Sequence, residues 1–185
     1  MKLAIFDKDG TLTIPASGEQ FVQDPHDQKP IPGMLSVLDY FDKNNYTIAV
    51  ASNQLGIKYN YKTEDETIEE FLFLATIYPQ IDYMIFCPDE GESAISIDFK
   101  RATQTTRLCD TSVSYHFRGN YLPQFEKFRK PNSGMLQYLI RKFEVKPTED
   151  CFYCGDRQED FLAAKDLELP FFWAKFVWEQ KNESN

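Results

Sequence analysis

The chain has 185 residues, of which 42% are hydrophobic and 26% charged, and its formal net charge is −9. This length suits one domain, and this composition excludes collagen-like and largely disordered proteins. No apolar run reaches the about 18 residues that span a bilayer, and the first predicted strand leaves no room for a signal peptide, so we expect no membrane contact and a cytoplasmic location.

The first strand is predicted over residues 3–6, an unbroken apolar run of strand length. Asp7 and Asp9 follow it, and Gly10 ends it, because glycine tolerates the backbone angles of a tight turn. Two carboxylates so close repel each other unless a cation or a shared proton relieves the repulsion. Open α/β sheets bind ligands at the carboxyl ends of their strands. This stretch therefore predicts a metal site at that edge.

Helices and strands alternate along the rest of the chain. Helices are predicted over residues 33–42 and 64–78, from Lys130 onwards and over 157–166; strands are predicted over 47–51, 81–87, 151–154 and 170–173, and a final short helix begins at 176–178. This alternation predicts an α/β fold, a doubly wound, Rossmann-like parallel sheet of about five strands with helices on both faces. We expect one domain over residues 1–178, with a tail at 179–185.

Two irregular insertions interrupt this pattern, at residues 12–31 and 88–129. The first directly follows the two aspartates and is a candidate flap over them, with a possible extended piece at 20–23. His26 lies in it and is expected to be a solvated loop residue. The second insertion is predicted to be an extended excursion with short strand fragments at 94–99 and 112–117.

Positive charge is concentrated between residues 100 and 130, a stretch with seven basic and two acidic residues. Aromatic residues are interleaved with the basic ones (Phe99, Tyr115, Phe117, Tyr121, Phe125 and Phe128). Cations that bind phosphates and rings that stack on bases are what a single-strand groove requires. A solvated loop packed over the sheet explains the same composition. The acidic remainder of the chain would weaken non-specific binding to nucleic acid.

The cysteines show no disulfide framework of the secreted kind. Cys151 and Cys154 have C-x-x-C spacing, yet Phe152 and Tyr153 lie between them in an apolar run. Free cysteine is among the most buried residue types. We therefore predict a buried strand there and neither a redox site nor a zinc site.

Further polar residues stand at corresponding places: Ser52 after the second strand, Lys130 at a predicted helix start, and Asp156 with Asp160 after the fourth strand. The carboxyl ends of neighbouring parallel strands lie about 5 Å apart, so these side chains can share one pocket with the first two aspartates. Carboxylates suit Mg²⁺, and a hydroxyl with an ammonium suits a phosphate beside it. Singly, each residue also has an ordinary explanation as a helix cap, a solvated lysine or a helix start.

Together these motifs resemble the haloacid dehalogenase superfamily of phosphohydrolases. Asp7-Lys-Asp9-Gly-Thr11 matches the family's D-x-D-G-T motif, and Gly155-Asp156-Arg-Gln-Glu-Asp160 looks like its acidic fourth motif. Ser52 and Lys130 look like the second and third motifs. The match covers nearly the whole chain in the family's order.

The resemblance implies a catalytic role for each of the first two aspartates. Asp7 would attack phosphorus and form an aspartyl phosphate, while Asp9 would protonate the departing oxygen and later activate water. This division requires an ionised Asp7 and an initially protonated Asp9, whose pKa we expect neighbouring carboxylates to raise.

The resemblance also implies a magnesium site and a phosphate site. Mg²⁺ would be held by Asp7, the Asp9 backbone carbonyl and Asp156, with Asp160 ligating through water or orienting the other ligands. Ser52 and Lys130 would bind the phosphoryl oxygens. Thr11 would fix the loop and orient Asp9.

The short insertions imply a minimal cap or none. The segments Ser52-Asn53-Gln54-Leu-Gly-Ile and Arg129-Lys130-Pro131 resemble the capless branch, subfamily IIIA, which contains histidinol-phosphate, heptose-bisphosphate and polynucleotide 3′-phosphatases. In that branch the residues matching Asn53 and Arg129 lie at the substrate.

Zinc separates members of this branch, because the first two enzymes carry a cysteine-rich zinc loop after the third strand. Here Cys87-Pro88 is followed by Asp89 where a ligand is expected, and only Cys109 follows. Two thiolates are too few for a closed tetrahedral site, so we expect no structural zinc and a departure from those two enzymes.

We therefore predict a Mg²⁺-dependent phosphomonoester hydrolase whose substrate is a small phosphate ester or a polynucleotide 3′-phosphate. The alternative is a non-catalytic module that binds phosphorylated nucleic-acid ends. The intact pair Asp7 and Asp9 speaks against that module, since a binder gains nothing from a nucleophile and an acid. The sequence leaves the oligomeric state open.

Overall fold

The computed structural model describes residues 1–100, 103–109, 116–117, 120–121, 127–147 and 150–177. Its elements, in chain order, are β1 (Lys2–Phe6), β2 (Thr13–Ile14), β3 (Lys29–Pro30), α1 (Met34–Lys43), β4 (Tyr46–Asn53), α2 (Glu64–Ile77), β5 (Tyr83–Cys87), β6 (Ser93–Asp98), β7 (Gln104–Cys109), β8 (His116–Phe117), β9 (Asn120–Tyr121), α3 (Gly134–Lys142), β10 (Cys151–Gly155), α4 (Gln158–Asp166) and β11 (Phe171–Trp173).

A seven-stranded sheet in the order β11-β10-β1-β4-β5-β6-β7 forms the centre of the fold. The pairs from β11 to β5 are parallel, whereas β6 and β7 are antiparallel additions at one edge. The predicted parallel sheet of five strands is thus confirmed. The prediction of only a short strand fragment at 94–99 was too modest, because the start of the second insertion extends the sheet.

Helices cover both faces of the sheet, as predicted. On one face α1 and α2 pack Val37, Leu38, Phe71 and Leu74 against β1 and β4. On the other face, α3 and α4 pack against Leu3, Ile5 and the other strand residues of that side. The helices contribute the apolar residues Met135, Leu136, Leu139, Ala163 and Ala164. Successive residues of β1 therefore enter opposite cores, which explains why its sequence is apolar from Leu3 to Phe6.

The first insertion forms a loop that is closed by β2 and β3, which pair antiparallel. Inside it, the Asp27 carboxylate accepts hydrogen bonds from the Ser17 backbone nitrogen at 2.6 Å, the Ser17 hydroxyl at 2.8 Å and the Gln23 nitrogen at 3.0 Å. The extended piece predicted at 20–23 is wrong, since these residues form no strand. His26 is a solvent-exposed loop residue, as predicted, 3.9 Å from Glu69.

Other predictions meet mixed outcomes. The third helix begins at Gly134 and not at Lys130, which lies in the preceding turn. Cys151 and Cys154 are buried in β10, as predicted. The tail at 179–185, Trp178 and most of the fragment predicted at 112–117 lie outside the described residues. Within the described chain, the helices are too short or too polar to cross a membrane.

Candidate active site

The carboxyl ends of three adjacent strands form the candidate site. Asp7 follows β1, Ser52 lies near the end of β4, and Asp156 follows β10. One carboxylate oxygen from each of Asp7, Asp156 and Asp160 lies within 4.8 Å of the others. The sheet thus brings together acidic residues that are about 150 positions apart in sequence, as expected for neighbouring parallel strands.

Lys130 lies between Asp7 and Asp160, and its side chain is almost fully buried. Its ammonium lies 2.7 Å from Asp7 Oδ1 and 2.6 Å from Asp160 Oδ1. It also donates to the Ala51 carbonyl at 2.9 Å and to the Tyr153 hydroxyl at 2.7 Å. These contacts occupy the donors of the ammonium, so in this state Lys130 orients the carboxylates, and its predicted contact with a phosphate would require it to exchange a partner.

Burial and charge set the pKa values of these groups. Burial, aided by the Asp160 charge, raises the pKa of Asp7 to about 8 despite the opposing effect of Lys130. Burial alone would raise the pKa of Asp160 too, but Lys130 and the Tyr153 hydroxyl hold it below its ordinary value. For Lys130 itself, the two carboxylates outweigh burial and raise its pKa. Burial and the Asp160 charge therefore oppose ionisation of Asp7, whereas Lys130 and Tyr153 favour ionisation of Asp160.

Asp156 has the features of a metal ligand. Its Oδ1 atom is buried and has no hydrogen-bond partner among the described residues, and burial next to Asp160 raises its pKa. Its other oxygen lies where a Cβ on Gly10 would stand, and Gly10 has φ +84°, so glycine is required there on both counts. Three clustered carboxylates with one unsatisfied oxygen suit a hard divalent cation such as Mg²⁺.

The Asp9 carboxylate is outside the metal cluster and faces other partners. Its Oδ1 atom lies 2.6 Å from the Lys8 ammonium, and its Oδ2 atom accepts from Gln54 Nε2 at 2.9 Å. Burial alone would raise the pKa of Asp9, but the charges of Lys8 and Lys62 hold it below its ordinary value. We expected neighbouring carboxylates to raise this pKa, and the opposite holds in the structure, because the ammonium groups of Lys8 and Lys62 are its charged neighbours.

Ser52 is buried at the end of β4, and among the described residues its hydroxyl donates no hydrogen bond. Its Oγ atom accepts a hydrogen bond from Gln54 Nε2 at 2.9 Å, so its own hydrogen remains available for a phosphoryl oxygen. Thr11 is also buried, but its hydroxyl has no hydrogen-bond partner among the described residues. The contacts that orient Asp9 come from Gln54 and Lys8, and not from Thr11 as we had expected.

The two residues that the resemblance placed at the substrate differ in their surroundings. The Asn53 side chain donates to the Lys130 carbonyl at 3.0 Å and accepts from the Lys130 nitrogen at 3.0 Å, which fixes the turn that carries Lys130. Both ends of its amide are therefore engaged. Arg129 is half-buried, and its Nη1 atom has no hydrogen-bond partner within the described part of the chain. Contact of either residue with a substrate stays a prediction.

Sequence reasoning missed several residues that shape the site. Tyr153 joins Lys130 to Asp160, to which its hydroxyl donates at 2.8 Å. Lys8 and Glu70 are fully buried and in contact with each other. A lysine between the two aspartates of the motif gave one signal, because a charged residue directly after a buried strand needs a partner. No sequence pattern linked it to Glu70 in α2.

Three basic residues of the stretch between residues 100 and 130 have acidic partners on the surface, whereas Arg129 has an unpartnered Nη1 atom among the described residues. Lys100 lies 2.9 Å from Asp82, Lys127 lies 3.8 Å from Glu92, and Arg107 contacts Glu64. Phe128 is buried in the core. Arg101, Arg118, Tyr115 and Phe125 lie outside the described residues. Arg107 lies in β7, the edge strand of the sheet, and not in a loop over the sheet. Binding of nucleic acid by this stretch stays a prediction.

Curated relatives with similar sequences are heptose-bisphosphate phosphatases. The chain is 28% identical over 174 residues to the D-glycero-beta-D-manno-heptose-1,7-bisphosphate 7-phosphatase of Pasteurella multocida, covering 91% of this chain and 79% of that protein. It is 30% identical over 167 residues to the enzyme of that name from Neisseria meningitidis serogroup A, covering 88% of this chain and 71% of the relative. Asp89, which stands where a zinc ligand was expected, led us to predict a departure from these enzymes. The overall sequence nevertheless remains similar to theirs.

A solved structure shows the same fold. The D,D-heptose 1,7-bisphosphate phosphatase from B. bronchiseptica, complexed with magnesium and phosphate, superposes with a TM-score of 0.67 at 19% identity and covers 97% of this chain and 87% of that one.

The doubly wound sheet, the motif order and these relatives together define a phosphatase of the haloacid dehalogenase superfamily, in its capless branch. Such an enzyme hydrolyses phosphate esters. Within that branch, residues 2–169 match the family described as polynucleotide kinase 3 phosphatase, and the chain belongs to this family.

Proposed function

We propose that this chain is a Mg²⁺-dependent phosphomonoester hydrolase that works through an aspartyl phosphate on Asp7. The observation that carries the proposal is the cluster of Asp7, Asp156 and Asp160, in which the buried Lys130 contacts Asp7 and Asp160 and one Asp156 oxygen has no partner among the described residues. The B. bronchiseptica enzyme of this fold is complexed with magnesium and phosphate, which supports the choice of cation.

The residues of the site suit a two-step transfer. In the first step an Asp7 oxygen bonds to phosphorus, the bond from phosphorus to the ester oxygen breaks, and Asp9 gives that oxygen a proton. In the second step water attacks the phosphorus of the aspartyl phosphate and gives a proton to Asp9, the bond from phosphorus to the Asp7 oxygen breaks, and phosphate leaves the restored Asp7 carboxylate. Mg²⁺ held by Asp7, Asp156, Asp160 and the Asp9 carbonyl would supply positive charge that offsets the repulsion between carboxylate and phosphate.

Charge fits the order of these steps. Lys130 lies 2.7 Å from Asp7 and would stabilise the ionised form once the cation is bound. The negative charge of an incoming phosphate would raise the pKa of Asp9 and so favour its protonated form before the first step. The free hydrogen of Ser52 would bind a phosphoryl oxygen, as would Lys130 after exchange of one partner.

For the substrate we propose a small phosphate ester, and a sugar phosphate in particular. Two observations support this class: the curated relatives are named for a heptose bisphosphate, and three of the described basic residues, Lys100, Arg107 and Lys127, already have acidic partners. Paired surface cations contribute little to binding a polyanion, because few counterions are released.

A polynucleotide 3′-phosphate is the second candidate substrate, because the family model that matches residues 2–169 is described by that activity. A binding module without turnover is the remaining alternative. The intact pair Asp7 and Asp9 opposes it.

One assay separates these functions. The protein is incubated with Mg²⁺ and a panel of sugar phosphates, sugar bisphosphates, nucleotides and 3′-phosphorylated oligonucleotides, and released phosphate is measured at two salt concentrations. We expect turnover of a sugar phosphate with little dependence on salt. Turnover of oligonucleotides alone, falling steeply with salt, would establish the second candidate. Tight binding without phosphate release from any compound would establish the binding module.

A further inference from the structure

Asp9 belongs to a closed ring of polar side chains that extends away from the metal cluster. The Lys8 ammonium joins Asp9, at 2.6 Å, to Glu70 in α2. The second Glu70 oxygen lies 2.6 Å from the Lys62 ammonium, which donates to Gln54 Oε1 at 2.5 Å. Gln54 Nε2 closes the ring on the other oxygen of Asp9 at 2.9 Å. Both oxygens of the Asp9 carboxylate are therefore fixed by neighbours.

Burying charged groups costs desolvation free energy, which only compensating charges and hydrogen bonds offset. Lys8, Gln54 and Glu70 are 0%, 4% and 1% exposed, whereas the side chains of Lys62 and Asp9 reach solvent and are 22% and 39% exposed. In the ionised state the two lysines balance the two carboxylates. Apolar residues of similar volume commonly stabilise a protein as well as a buried ion pair does, so stability alone does not explain the ring.

The ring has a geometric consequence for proton transfer. An acid must lie within hydrogen-bond reach of the atom that receives its proton, and small displacements of a reacting group slow a reaction strongly. Asp9 follows Lys8 in the exit turn of β1, where backbone contacts alone leave its side-chain torsions free. Gln54 and Lys8 hold the carboxylate from two directions, and Gln54 also binds the phosphate-site residue Ser52 at 2.9 Å.

We propose that Lys8, Gln54, Lys62 and Glu70 are positioning residues that hold the Asp9 carboxylate where it exchanges a proton with the leaving group. This inference rests on the proposed function, in which Asp9 is the acid. Helix α2, through Glu70, would then act on proton transfer by Asp9 and not on the binding of the metal or the phosphate.

The test compares substrates whose leaving groups differ in their need for a proton. A sugar phosphate releases a strongly basic alkoxide, whereas p-nitrophenyl phosphate releases a stable phenolate, so only the first requires an acid. Because kcat/KM reports the steps up to the first irreversible one, it isolates the formation of the aspartyl phosphate. The variants are Glu70→Gln and, as a matched control, Glu69→Gln, the neighbouring residue of α2, whose side chain is 57% exposed.

We expect Glu70→Gln to lower kcat/KM for the sugar phosphate by about 10- to 100-fold, a part of the 10²- to 10⁴-fold that an acid or base contributes. The loss with p-nitrophenyl phosphate should stay below about threefold, and Glu69→Gln should change neither substrate by more than about twofold. Lys62→Met, which removes a partly exposed group and is easily accommodated, should show the same selectivity to a smaller degree. Equal losses for both substrates would overturn the proposal and indicate a merely structural ring.

A second measurement needs no turnover. In EDTA, the shifts in the urea midpoint caused by Asp9→Asn and Glu70→Gln should combine non-additively, because Lys8 contacts both residues. Additive shifts would contradict coupling through the ring. If wild-type protein hydrolyses neither substrate, the proposed function fails and the inference with it. If Asp9→Asn shows the leaving-group selectivity and Glu70→Gln does not, the inference alone fails.

Discussion

Replacing Lys130 by methionine tests the charge arrangement of the site without any substrate. Lys130, Asp7 and Asp160 are 3%, 5% and 1% exposed, so water cannot replace the lost ammonium. Removing one partner from such a buried ion pair costs about 3–5 kcal/mol. We expect this loss in the free energy of unfolding at pH 8 without metal, which corresponds to a fall in Tm of about 6–20 °C for a chain of this size.

The loss should shrink as the pH falls, and the sign follows from Asp160. In the wild type its pKa lies below the ordinary value because of Lys130 and Tyr153, so it stays ionised between pH 5 and pH 8. In the variant, burial without Lys130 raises this pKa, and the folded state then binds a proton that the unfolded chain has released. The variant's stability therefore falls as pH rises, and its deficit is smallest near pH 5.

Urea unfolding of Lys130→Met and wild-type protein at pH 5 and pH 8 measures both effects. Lys58→Met is the matched control, since it breaks a 3.1 Å pair with Glu90 that is exposed to solvent, and solvent screening makes such pairs contribute little. An equal deficit at both pH values, or a deficit no larger than that of the control, would refute this account of the site.

Three further predictions concern the metal and the site geometry. Because the pKa of Asp7 is raised to about 8, Mg²⁺ binding should release a proton, and below pH 8 the affinity should rise by up to about tenfold per pH unit. Calorimetry in two buffers measures both effects, and a pH-independent affinity would contradict the prediction. Gly10→Ala should weaken Mg²⁺ binding, because its Cβ would displace Asp156, whereas Gly18→Ala, with a similar φ of +85° and no atom within 4 Å, should cost stability alone; equal affinity in the two variants would exclude the proposed displacement. Tyr153→Phe removes the 2.8 Å hydrogen bond to Asp160 and should destabilise the metal-free protein by about 1–3 kcal/mol; an unchanged urea midpoint would contradict that contribution.

The parallel half of the sheet was predictable from sequence because burial on both faces leaves a simple record. Apolar residues run without interruption from Leu3 to Phe6 in β1 and through the middle of β4. The first run ends at Asp7 and the second at Ser52. The motif residues Asp7 and Asp156 could be placed for the same reason. The carboxyl ends of neighbouring parallel strands must meet at one edge.

The antiparallel edge and the ring were not predictable, because both depend on contacts that sequence does not record. Strand β6 is buried along most of its length despite its polar residues, since it pairs with β5 and β7. The ring joins Lys8 to Glu70, which are 62 positions apart and belong to a turn and a helix. The prediction that the pKa of Asp9 is raised was wrong for that reason, since it assumed carboxylates as neighbours where the structure has Lys8 and Lys62.

The most direct test of the central claim is to trap the phosphorylated enzyme. Wild-type protein is mixed with Mg²⁺ and a hydrolysed phosphate ester, quenched in acid within the first turnover, and digested for peptide mass spectrometry. The account predicts a phosphoryl group on the peptide that contains Asp7, and neither that group nor phosphate release with Asp7→Asn. Phosphate release by Asp7→Asn at the wild-type rate would contradict the account.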